Sequence, residues 1–153
     1  MISKRAKLKL YYSVIRPIVT YSCGETWILK ETIINKLLVF ERKIFSPNNE
    51  NGIWRMITKQ ELDEMIKCKN IINFILAQRL SWLLGRIERM QGTRMVKAIY
   101  SWKPISRRPI GRPKTCWVDD VRKDIQKLKV PNWKTLALDR RRWKELVEKA
   151  KTL

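Results

Sequence analysis

A chain of 153 residues with 44% hydrophobic side chains has room for one modest core or two small helical lobes. Its 34 lysines and arginines against 14 acidic residues give a net charge of +20, far beyond what solubility needs, and self-repulsion on that scale makes nucleic acid the leading partner. The absence of histidine removes the commonest general base and metal ligand, and Cys23, Cys68 and Cys116, without CxxC spacing, support neither a disulfide framework nor a zinc site.

The charge is spread evenly: residues 1–100 hold 18 basic and 8 acidic side chains and residues 101–153 hold 16 and 6, so both parts are expected to meet phosphate. No apolar run reaches the roughly 18 residues of a membrane helix, and the N-terminus lacks the apolar core of a signal peptide. The expectation is an intracellular, nuclear protein with no membrane, no small-molecule substrate and no metal or other cofactor.

In chain order, Leu8, Tyr11, Val14 or Ile15, Ile18 and Tyr21 predict a helix over about 4–22 with a kink at Pro17. The alternative is a helix ending at Arg16 followed by a strand through the β-branched residues after it. Ile33, Leu37, Phe40 and Ile44 predict a second amphipathic helix, stopped by Ser46 and Pro47, with PNNENG as a turn. Thr58 and Glu61 form a capping box for a short helix to about Lys67. Ile72, Leu76, Leu80, Leu83, Ile87 and Met90 step by four and three, and Ile71, Phe74, Ile75, Trp82 and Leu84 widen the arc, so a long helix at about 70–90 is expected to be buried on more than one side.

Residues 101–114, with three prolines, Gly111, five basic and no acidic side chains, have linker composition. Thr115 then caps a helix with Trp117 or Val118, Val121, Ile125 and Leu128 inward and Asp119 and Asp120 in its first turn, where the macrodipole favours anions. Pro131 and Asn132 start a last helix with Trp133, Leu136, Ala137, Trp143, Val147 and Ala150 on one face. The fold class is mainly α: a helical lobe, a Pro/Gly basic linker and a C-terminal helical hairpin.

Three features bear on chemistry. Asp119 and Asp120 resemble the aspartate pair with which polymerases hold two metals, but that pair needs a tight hairpin and a third carboxylate, and here it lies in a helical pattern. PIGRPK at 109–114 contains the GRP core of an AT-hook, with Ile110 where that motif has a basic residue; a solvated basic linker touching phosphates is the preferred reading. Arg140, Arg141 and Arg142 run round the last helix, so at least one is expected near the core edge. Trp82, Trp117, Trp133 and Trp143 read as core, and Trp102 is the best-placed ring to stack on an unpaired base.

KLKLYYSVIRPIVTYSCGETW at 7–27, KLLVFERKIF at 36–45 with ENGIWR at 50–55, and GRPKTCWVDDVRKDI at 111–125 with DRRRWKELVEKA at 139–150 together resemble the C-terminal part of the reverse transcriptase of RTE-like non-LTR retrotransposons. Lys30 stands where that family usually has a capping threonine. The resemblance implies polymerase thumb helices over residues 1–47, giving a thumb-like lobe, and a basic C-terminal region after them, without the palm, fingers or endonuclease; periodicity and composition divide that region into a helical part over 48–100, the linker at 101–114 and the C-terminal hairpin at 115–153.

The expected function is therefore a non-catalytic fragment of an RNA-directed DNA polymerase that binds RNA, DNA or their hybrid with little sequence preference. Arg42, Lys43, Arg107, Arg108, Arg112, Lys114, Arg140 and Arg141 are the expected phosphate contacts. The alternatives are a small DNA-binding protein working through PIGRPK and a retroelement remnant without function.

Overall fold

The computed structural model describes residues 3–21, 24–46, 48–50, 53–67, 70–102, 111 and 117–152, and it is mainly α-helical, as the sequence predicts. The first helix runs from α1 (Lys4–Leu10) through a π-helical segment (Tyr11–Ile15) into α2 (Arg16–Tyr21). The strand alternative does not form. Pro17 lacks an N–H and its ring crowds the carbonyl four residues back; the wider turn before it, in which Arg16 N–H reaches the Tyr11 carbonyl, absorbs that misfit. The extra residue in the turn rotates α2 about the helix axis. Tyr11 is buried, with Leu8, Tyr12 and Ile15 packed beside it, whereas Ile18 and Tyr21, expected inside, are 67% and 89% exposed.

A 3₁₀ turn at Gly24–Thr26 leads to α3 (Glu31–Phe45). Lys30 at its N-cap makes no side-chain capping bond, consistent with the missing threonine. Of the expected stripe, Ile33, Leu37 and Ile44 are half-buried and Phe40 is exposed; the fully buried positions are Glu41 and Phe45. The PNNENG turn belongs to a hairpin of β1 (Asn48–Glu50) and β2 (Ile53–Arg55), with Glu50 opposite Ile53. The connecting Asn-Gly, a favoured two-residue hairpin sequence, lies outside the described residues. The capping box forms as predicted and opens α4 (Lys59–Ile66). Arg55 reinforces it, giving Glu61 two bonds at 2.7 and 3.1 Å.

The long helix comprises α5 (Ile71–Gln78), a π-helical segment (Arg79–Leu84) and α6 (Gly85–Arg89). It is buried on more than one side, as expected, although Ile72 and Leu76 are only half-buried while Ile71, Ile75, Ala77 and Arg79 are fully so. A further short helix, α7 (Met95–Ser101), comes after a turn at Gly92. After the linker come α8 (Trp117–Lys127), α9 (Trp133–Leu138) and α10 (Arg140–Ala150). The predicted last helix is thus two, broken at Asp139, whose carboxylate accepts the Arg141 and Arg142 N–H groups as N-cap.

Among the described residues, two apolar clusters result. One gathers Tyr11, Phe45, Ile57, Leu62 and Ile66. The other gathers Ala77, Leu80 and Leu84 of the long helix with Val121, Ile125, Ala137, Trp143, Leu146, Val147 and Ala150. Trp117 and Trp133 pack against this second cluster at half burial; the Trp82 side chain lies outside the described ones.

Trp143 locks α10 to the long helix by donating to the Leu80 carbonyl at 3.0 Å, a group that also takes the Gly85 N–H. Gly85 is needed because a Cβ there would meet Trp143 Nε1 at 2.5 Å. Gly85→Ala should therefore lower stability by about 1–3 kcal/mol through overpacking, read as a lower urea midpoint.

The other end of the long helix is tied by Glu41. Its two oxygens accept the Ile71 N–H at 3.2 and 3.3 Å, and Tyr11 donates its hydroxyl to the same carboxylate. A carboxylate at a helix N-terminus is well placed. Burial pushes Glu41 above the usual carboxylate range, against the pull of the Tyr11 and Ile71 hydrogen bonds and of Arg16. A raised folded pKa means that the folded state holds the proton more readily than the unfolded chain, so this contribution to stability is present at low pH and lost as pH rises through the raised value. The stability of wild type relative to Glu41→Gln should accordingly grow as pH falls from neutral towards the ordinary value of 4.5. Urea midpoints of the two proteins across that range measure it.

Candidate nucleic-acid interface

The two aspartates of the WVDDV segment have different neighbours. Asp119 is exposed and lies 3.6 Å from Arg122 one turn on. Asp120 faces inward with Asp124, one turn further along the same face, and both reach Arg79, which is fully buried at the start of the π-helical segment. Arg79 Nη1 donates to Asp124 at 2.9 Å and to Asp120 at 3.2 Å, and Nη2 donates to the Trp27 carbonyl. Asp120 also accepts the Leu29 N–H at 3.2 Å. One guanidinium thus joins the long helix, α8 and the segment before α3. Burial pushes the Asp124 carboxyl above the usual aspartate range against the pull of Arg79 and Lys127. The pair does not converge on one point, as a shared metal would require.

Cationic side chains converge elsewhere. Arg86 and Arg89 on α6, Arg94 at the N-cap of α7 and Arg140 in the first turn of α10 line an open groove of about 760 Å³, together with Met90 and Gln91. None of these lining residues is acidic. The spacing of Arg86 and Arg89 puts both on one helix face. Arg89 is fixed by a 2.8 Å bond from Nη1 to the Ala137 carbonyl near the end of α9. Burial and the neighbouring Arg140 and Arg86 guanidiniums pull Arg89 below the usual arginine range. Like charges so gathered repel, and a bound polyanion relieves the repulsion.

Among the described residues, Arg140 is the one expected phosphate contact that lines this groove. Arg140, Arg141 and Arg142 are all exposed, and Arg140 lies at the edge of the second cluster, lining a groove with Ala77, Trp143 and Val147. The break at Asp139 lets the first turn of α10 project beyond the cluster, and Trp143 is the first residue to turn inward. Arg42 is half-buried and Lys43 exposed on α3, which packs at the Ile71 end of the long helix, roughly 25 Å from the groove at 1.5 Å per residue. Trp102 is 67% exposed at the end of α7 and does not line the groove. Arg107, Arg108, Arg112 and Lys114 lie outside the described residues, as does most of PIGRPK. Arg86, Arg89 and Arg94 went unnoticed because the apolar stripe of the long helix dominates that stretch; the sequence clue was the pair of arginines three apart beside a third after Gly92.

Nearly the whole chain is similar to a known protein: 97% of it aligns, at 23% identity over 159 residues, with an uncharacterized transposon-derived protein of Caenorhabditis elegans. The likeness hints at a transposon origin. The chain spans 56% of that relative's length. No family model matches the chain, and no solved structure does.

Proposed function

We propose that this chain is the non-catalytic C-terminal portion, thumb helices and basic tail, of a non-LTR retrotransposon reverse transcriptase, and that it grips nucleic-acid backbone with little sequence preference. The observation that carries the binding reading is the groove in which Arg86, Arg89, Arg94 and Arg140 converge. Guanidiniums on three separate helices give a concave, cationic surface suited to phosphate oxygens, and backbone contacts of this kind position a strand without reading its bases. The motif resemblance and the similarity to a transposon-derived protein support the origin. RNA, DNA and their hybrid are the proposed partners and the nucleus the proposed site of action, with no catalytic residue and no cofactor assigned.

Competition tests the reading. A labelled mixed-sequence duplex bound to the chain should be displaced about equally by unlabelled AT-rich and GC-rich duplexes of the same length. Strong preference for the AT-rich competitor would transfer the activity to a minor-groove reader such as PIGRPK.

A further inference from the structure

Beside the arginine groove lies a second one, about 420 Å³, between α5 and α10, within the size range of small-ligand sites. Arg89 and Arg140 line both grooves, so the two adjoin across a ridge of two guanidiniums. The second differs in chemistry. Phe74, Ala77, Trp143 and Val147 give it an apolar floor, Gln78 and Ser81 place hydrogen-bonding groups at its edge, and Lys144, Glu148 and Lys151 complete the lining, with Glu148 paired to Lys151 at 2.6 Å. Phe74 already carries the Arg16 guanidinium 4.1 Å from its ring centroid, which fixes the ring against the helix.

We propose that this second groove receives an unpaired base of a single strand whose phosphates lie in the arginine groove. The proposal rests on the backbone-binding reading above and names its substrate class. A cationic groove selects an anion; an apolar floor immediately beside it selects a flat ring attached to that anion. A nucleotide joins the two at the spacing of adjoining sites, and aromatic or apolar floors accept any base because every base has a π-face. A base paired within a duplex is stacked inside and cannot enter. The groove, rather than the exposed Trp102, is then the base-binding element.

The full chain is titrated against a fluorescent oligothymidylate and against an abasic strand of the same phosphate count. Oligothymidylate should bind roughly 5- to 150-fold more tightly, the range for one stacked base. Ser81→Trp, or Gln78→Trp one turn before it, fills the groove without changing charge. With helix content unchanged by circular dichroism, either should bring oligothymidylate down to the abasic affinity and leave abasic binding as it was. Trp102→Ala should preserve the preference. Equal binding of the two strands by wild type overturns the base site while leaving the phosphate groove standing. A preference that survives both filling variants, or that Trp102→Ala abolishes, overturns it as well. Binding of neither strand at low salt removes the backbone reading itself.

Discussion

Arg79→Leu should cost about 3–5 kcal/mol of folding stability, the usual consequence of removing one partner from a buried ion pair and leaving the other charged. That is a large part of the 5–15 kcal/mol by which domains of this kind are stable. The loss arises at three places at once, because the guanidinium bonds Asp120, Asp124 and the Trp27 carbonyl. Combining Arg79→Leu with Asp124→Leu should recover part of it, since an apolar pair replaces a half-broken ionic one. The cost should also shrink as pH falls: the Asp124 pKa is already raised by burial, and without Arg79 the carboxyl takes up a proton more readily still. Asp119→Asn, by contrast, should stay within about 0.5 kcal/mol, as expected for an exposed ion pair. Urea denaturation of wild type, these variants and Asp124→Leu alone measures all of this. Additive losses in the double variant, or equal losses for Asp119→Asn and Arg79→Leu, would contradict the arrangement.

The contrast between neighbouring aspartates marks the boundary of what the sequence reveals. Periodicity and local chemistry were sufficient for features decided within a few residues: the Thr58 and Glu61 capping box, the stop at Ser46 and the inward face of α8. They were insufficient where a distant partner decides. Nothing near Arg79 distinguishes it from an exposed arginine, because its carboxylates lie 41 and 45 residues away. Glu41 was overlooked for the same reason, its partners Tyr11 and Ile71 each lying 30 residues off. The π-helical segments caused a different error. Each inserts a residue into the helical repeat, so a stripe extrapolated from before Pro17 runs onto the solvent face at Ile18 and Tyr21. At Asp139 the apolar pattern fits one helix as well as two, and only the capping bonds mark the break.

The candidate interface was legible as a charge and not as a place. A net charge of +20 calls for a polyanion, but the side chains that converge come from α6, α7 and α10, and their meeting depends on how α10 docks through Trp143 on the long helix. Local runs such as the three consecutive arginines attract notice in a sequence. The groove takes one of them, Arg140, and three isolated ones.

The consequence is large and specific. Changing Arg86, Arg89, Arg94 and Arg140 together to glutamine removes four phosphate contacts, each contributing about 0.9 to the slope of log affinity against log salt on duplex DNA. With the exposed Arg141 next to Arg140 in the chain and Lys144, which lines the adjoining groove, the proposed binding mode expects about six contacts and a slope of about −5 in wild type. A fourfold rise in salt should then weaken wild type about 1,000-fold and the quadruple variant only about tenfold. A control carrying Arg5, Lys9, Lys36 and Lys59 as glutamine loses the same net charge from exposed positions outside the groove.

The salt slope of duplex binding in these three proteins is the most direct test of the account. The groove predicts about −5 for wild type and for the control, and about −2 for the groove variant. Equal slopes for the two variants, or a flat response in wild type, would contradict it.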